Sequence, residues 1–109
     1  NKDAIFIGIT QMDIYIPGTL WRFVFANRIG QNFAVISNHR MEGRPLGNYI
    51  DVVEVKPGIR KIVSKTIGLL HFDKPLNSNP KSVLYDKIWS LQDLESIDEY
   101  TIYSDILDE

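Results

Sequence analysis

From Ala4 to Thr10 the chain is almost continuously apolar and β-branched (AIFIGIT), the pattern of a strand buried on both faces. QMDIYIPG then alternates polar and apolar residues and ends at Pro17-Gly18, a turn signal. Leu20–Asn27 (LWRFVFAN) sets Trp21, Phe23 and Phe25 against Arg22, Val24 and Ala26, and so predicts a strand with one wetter face. Asn32–Ser37 (NFAVIS) predicts a third strand, and the intervening RIGQ suits a hairpin turn between the two. From Asn38 to Gly58 turn-forming residues dominate, which predicts a long loop with one short strand in YIDVVEV.

A different period follows. Ile59, Ile62, Val63, Thr66, Ile67 and Leu70 recur at helical spacing, while Arg60, Lys61, Ser64 and Lys65 lie off that stripe. The reading is an amphipathic helix with Lys61 and Lys65 on its solvated side and Gly68 as its terminator. DKPLNSNPKS is again a loop, and VLYDKIW is a compact apolar patch. Ser90, with Asp93 three residues on, opens a short C-terminal helix over Leu91, Leu94 and Ile97. Strands plus a few helices give an α/β (α+β) class with one domain over residues 1–109.

Composition narrows the function classes. The chain has no cysteine, so disulfides and thiolate-bound metals are excluded. No apolar run approaches the roughly 18 residues that a membrane-spanning helix needs. Residues 92–109 hold seven of the fourteen acids and no lysine or arginine, so residues 1–91 carry twelve basic against seven acidic residues. That excess is too scattered for a nucleic-acid face, and the acidic end reads as an exposed tail. The first residue is Asn1 and not methionine, so the expectation is a mature or trimmed product, soluble and compatible with export, with the compartment left open.

The chemistry centres on RKIVSKTIGLLHF, residues 60–72. Zinc proteases of the HExxHxxGxxH type place two histidines at i and i+4 on one helix face, with a glutamate beside the first as general base. A glycine then turns the chain so that a third histidine reaches the metal. With Gly68 aligned to that glycine, His71 takes the third-ligand position, Lys61 and Lys65 replace the helix histidines, and Ile62 replaces the glutamate. A protonated amine has no lone pair, and two at i, i+4 repel each other and a dication. No metal, cofactor or catalytic residue is therefore assigned. Asp73, Asp86, Asp93 and Glu95 have no spacing that would hold two carboxylates together.

The surrounding chain, from about Ala4 to Ile97, resembles the metzincin clan and most of all its archaemetzincin-like zinc metallopeptidase branch. The resemblance rests on ITQMDIYIP, on the aromatic FVF strand, on AVIS, and on NPKSVLYDKI after the helix. Ser82-Val83-Leu84-Tyr85 is similar to the turn that places a methionine beneath the metal, with Leu84 in the methionine's place. The resemblance implies a partial metzincin-like mixed β-sheet, a former active-site helix and a degenerate site at Lys61, Ile62, Lys65, Gly68 and His71. It further implies a pseudopeptidase that binds peptide along an edge strand at Arg22, Val24 and Ala26, with Lys61, Lys65 and His71 lining the former metal side. Such domains begin with a strand, a helix and a further strand, so the expectation is a C-terminal part of a longer chain. An N-terminal fragment of the same precursor or a second copy would complete it as an assembly. The remaining alternative is a hydrolase using Lys61 or Lys65 with a lowered pKa, which requires a buried lysine.

Overall fold

The computed structural model describes residues 4–18, 23–41, 45–46, 49–50 and 55–107. Its centre is a mixed sheet of three strands, β1 (Phe6–Thr10), β2 (Ala26–Ile29) and β3 (Phe33–Ser37), in the order β1-β3-β2. β1 runs parallel to β3 in the register Phe6–Phe33 to Thr10–Ser37, and β2 is antiparallel to β3, pairing Ala26 with Ile36. The hairpin between β2 and β3 turns at Gly30, whose φ of +68° suits glycine. The strand expected over residues 20–27 thus falls later in the chain, and Trp21 and Arg22 lie outside the described residues. Pro45–Leu46 (β4) and Tyr49–Ile50 (β5) form a separate two-stranded ladder inside the expected loop.

The central strand is β3, not β1. Ala34, Ile36 and Ser37 are buried, whereas β1 has a neighbour on one side alone and leaves Phe6 and Ile9 exposed. This corrects the expectation that the AIFIGIT strand is buried on both faces: an apolar run shows only that burial is favourable, and here Ile7 reaches the core while no described element covers Phe6 or Ile9. By register, Phe6, Phe33 and Ile29 share one sheet face and are 57%, 39% and 53% exposed. The opposite face carries Ile7, Ala26 and Ile36 into the core beneath the long helix.

That helix, α1, spans Val55–Leu70 and begins four residues before the apolar stripe. Pro57 sits in its first turn, where its missing N–H removes no helical bond, so Pro57-Gly58 opens the helix and does not precede it. Ile62, Thr66 and Leu70 are buried, and the Thr66 hydroxyl donates to the Ile62 carbonyl at 2.8 Å. Gly68 is not the terminator. It lies inside α1, and a Cβ there would come within 2.7 Å of Ile106 Cδ1 and 3.2 Å of Leu84 Cδ2. Glycine is present because the helix backbone must touch a neighbouring layer. The chain leaves the helix at Asp73, with φ +52°, where the Lys74 N–H donates to the Gly68 carbonyl at 3.0 Å.

The second helix, α2, covers Leu91–Glu95. Ser90 caps it by accepting from the Asp93 N–H at 3.1 Å, while Asp93 accepts from the Trp89 N–H at 3.0 Å. Over residues 92–107 the acidic segment is not an exposed tail. Leu94 packs with Phe25, Ile36, Met41 and Ile62, and Ile97 and Ile106 pack with Val83 and Leu84. Glu99 forms an ion pair with Arg60 at 3.2 Å, and Asp105, in a π-helical turn over Tyr103–Leu107, accepts from the buried Ser82 hydroxyl. Apolar residues between the acids anchor this segment, which charge counting alone overlooks. Among the described residues no helix is long and apolar enough to cross a membrane.

Candidate functional site

Between the outer side of β2 and one flank of α1 lies an open cavity of about 650 Å³. Phe23, Val24 and Ala26 form one wall, Ile62, Lys65 and Leu69 of α1 the other, and Asp86, Ile88 and Trp89 close the end. An apolar trough with a few polar groups is the common form of a ligand site.

The edge of β2 is partly taken. The Ser37 N–H donates to the Phe25 carbonyl at 2.8 Å, so by alternation the main-chain groups of Val24, Ala26 and Arg28 point away from β3. The Val24 N–H donates to the Ile14 carbonyl at 2.9 Å, which covers the edge at that point. Ala26 and Arg28 keep their outward groups open to the cavity among the described residues. Of the expected edge residues, Val24 and Ala26 therefore line the cleft, Val24 with its edge closed, and Arg22 lies outside the described residues.

Lys65 projects from α1 into this cavity and donates to the Tyr85 carbonyl at 2.6 Å. Burial lowers its ammonium from its ordinary 10.5 to about 8; the nearby Arg28 acts in the same direction and Asp86 opposes it. The expectation of a solvated Lys65 is thus corrected. It stands one position from the buried Thr66 and three from the buried Ile62, so it flanks the stripe and follows it inward. Lys61, one turn earlier, reaches out of the cleft to the Leu94 and Glu95 carbonyls, at 3.2 and 3.4 Å. His71 is exposed past the end of α1, its ring edge-on to Phe72 at 4.8 Å, and it does not line the cavity. Of the three residues expected on the former metal side, the structure brings Lys65 alone into the cleft.

The turn expected beneath a metal lies under α1. Ser82 and Tyr85 close it, the Tyr85 N–H donating to the Ser82 carbonyl at 3.0 Å, and Ser82, Val83 and Leu84 are buried. Leu84 abuts Gly68 while the Tyr85 carbonyl holds Lys65, so the turn locks onto the helix at two successive points. Ser82 further accepts from the Asn77 amide at 2.9 Å and the Leu84 N–H at 3.1 Å.

The donor set does not fit zinc. Lys61 and Lys65 each bring an ammonium that donates to main-chain carbonyls, Ile62 is buried in the core, and His71 does not line the cavity. Among the described residues no three histidine, aspartate or glutamate side chains converge. The sequence reading misses Arg28 and Trp89, and sets Asp86 aside as an unpaired carboxylate. Arg28 was accessible by continuing Val24 and Ala26 two residues further along the strand; Asp86 and Trp89 reach the cleft through loop geometry that no local pattern announces.

A mixed sheet with its helix and supporting turn defines a small α+β protein of peptidase-like fold. Among solved structures the chain is similar to a zinc-dependent peptidase from Methanocorpusculum labreanum, with a TM-score of 0.76 and 24% identity, over 96% of this chain and 55% of that one. This chain thus spans about half the length of that peptidase, and the likeness is one of fold. No protein-family model and no curated protein matches the chain.

Proposed function

We propose that this chain is a degenerate, archaemetzincin-like domain that binds extended peptide segments without cleaving them. The observation that carries this reading is the pairing of an apolar cavity with the open main-chain groups of Ala26 and Arg28 along its wall. A peptide added there pairs with β2 through main-chain bonds and places alternate side chains into the trough. Among the described residues no set of metal ligands converges to activate water, which supports binding without metal-dependent cleavage. The test is Ala26→Pro: it removes an outward N–H that β3 does not use, so the ladder to β3 keeps its hydrogen bonds. Loss of peptide binding with an unchanged circular dichroism spectrum is the expected result. Retained binding, or peptide turnover insensitive to a chelator, sinks the reading, the latter in favour of a hydrolase built on Lys65.

A second reading concerns the uncovered sheet face of Phe6, Ile29 and Phe33. A large apolar patch of this kind favours burial against another layer. We propose that a preceding segment of the same precursor covers it and extends the sheet at β1. The support is the peptidase neighbour, which carries nearly as much chain again outside the match. Mass spectrometry of the native preparation after gel filtration would show a co-purifying fragment or a longer chain; a homodimer or a monomer of 12.5 kDa overturns this assignment.

A further inference from the structure

The cleft carries an electrostatic imbalance that the peptide reading does not use. Lys65 enters from α1 and Arg28 from β2, and both face the same cavity. Asp86, from the loop after the Ser82–Tyr85 turn, is the acidic group lining it, and among the described residues it forms no ion pair with either cation. An ammonium has three donors, and the structure satisfies that of Lys65 with one carbonyl, that of Tyr85. Around Lys65 the wall is mostly apolar, with Ile62, Leu69 and Ile88, and the neighbouring Thr66 hydroxyl is engaged with the Ile62 carbonyl. A cation desolvated among apolar groups, with spare donors and a second cation beside it, is a site for an anion that brings its own acceptors.

We propose that the cleft anchors its peptide through a carboxylate held between Lys65 and Arg28. This rests on the peptide reading above and specifies its ligand as an acidic segment, by a side chain or by a free C-terminus. Arg28 offers a planar fork at the open rim and Lys65 a point charge at the base. The carboxylate fits here for the same reason that a zinc ion does not: two positive groups occupy the floor and rim. Burial already holds the Lys65 ammonium close to neutrality, so its charge, and the carboxylate affinity with it, falls as pH rises through about 8. Arg28 and Asp86 are the other charged groups that face the cleft, the first attracting the ligand and the second opposing it.

The test uses three N-acetylated pentapeptides of valine and threonine, titrated calorimetrically into the intact chain. One is amidated and neutral, one has a free C-terminal carboxylate, and one is amidated with a central glutamate. Both acidic peptides, or whichever the cleft prefers, bind about tenfold or more tightly than the neutral one near neutral pH. Their relative affinity assigns the carboxylate to a side chain or to a chain end. The preference disappears in Lys65→Met, survives in Lys65→Arg, and weakens in Arg28→Gln, an exposed position where folding is not at stake. Equal affinity for all three peptides overturns the carboxylate anchor and leaves the peptide reading standing. Binding of none of them removes the peptide reading and the anchor together.

Discussion

Replacing Lys65 with methionine removes a charge from an apolar cleft while keeping the length and most of the volume of the side chain. The lowering of Lys65 from 10.5 to about 8 corresponds to roughly 3 kcal/mol by which folding disfavours its charged form. The direction follows from proton counts. Below about pH 8 folded and unfolded chains both carry the proton and the folded state bears the whole cost; between about 8 and 10.5 the unfolded chain holds the proton and the folded one has lost it, so stability rises with pH. About 2 kcal/mol of that rise falls between roughly pH 7 and 9.5. Lys65→Met also leaves the Tyr85 carbonyl without its donor, a loss of about 1–3 kcal/mol, so its stability near neutral pH stays within about 2 kcal/mol of the wild type. The pH slope is therefore the diagnostic quantity. Urea unfolding at several pH values, with wild type and variant compared at each, cancels the titration of tyrosines and the other lysines. A wild-type stability that rises about 2 kcal/mol relative to the variant is expected; parallel curves would show that Lys65 is hydrated and that the cleft is not as drawn.

Gly68→Ala is expected to destabilise by about 1 kcal/mol, because overpacking against Ile106 and Leu84 exceeds the helix-propensity gain, and Ile106→Val should recover part of it in a double-mutant cycle. Gly58→Ala, whose Cβ would meet Met41 Sδ at 3.0 Å and Leu94 Cδ2 at 3.2 Å, with no contact as short as the 2.7 Å at Gly68, is expected to be neutral or stabilising by about 1 kcal/mol in the same urea assay. Leu94→Ala should cost about 2–5 kcal/mol, since Leu94 is buried among Phe25, Ile36 and Met41; a cost near zero would return the acidic segment to the status of a tail. Addition of zinc or of a chelator is expected to leave the thermal midpoint unchanged, and a stoichiometric shift would show that ligands assemble in a way the described side chains do not.

The parts of the fold that could be read in advance are those with a local cause. The stripe from Ile59 to Leu70 declared the helix, Ser90 and Asp93 declared the cap of α2, and Gly30 suited the hairpin turn. What failed was whatever depends on a neighbouring layer. Gly68 reads as a terminator in one dimension and is a contact point in three, because only the arrival of Ile106 and Leu84 explains it. Pro57 reads as a breaker, yet the first turn of a helix tolerates it. The burial of β1 was inferred from its own residues, although burial is a property of what covers a strand. The site divides in the same way. The sequence marks Lys65 as a replaced-ligand position on the solvated side, but its environment comes from the Tyr85 carbonyl, Arg28 and Asp86, which lie 20, 37 and 21 positions away along the chain.

A carboxylate bound beside Lys65 must also change the lysine's protonation. In the free cleft the ammonium is held down to about 8, so near that pH the side chain is about half protonated. An adjacent anion favours the charged form and restores the pKa toward its ordinary range. Binding of the acidic peptide near pH 8 therefore takes up about half a proton, and binding well below that pH takes up almost none. The uptake is measured by repeating the calorimetric titration in buffers of different ionisation enthalpy, where the apparent heat changes in proportion to the protons the buffer releases. The neutral peptide serves as the internal reference, because it reaches the same strand edge without touching the charge. Buffer-dependent heat for the acidic peptide, absent for the neutral one and absent in Lys65→Met, identifies Lys65 as the proton acceptor. Uptake that persists in the variant would place the titrating group elsewhere, and heat that is the same in every buffer would mean that the carboxylate never meets Lys65.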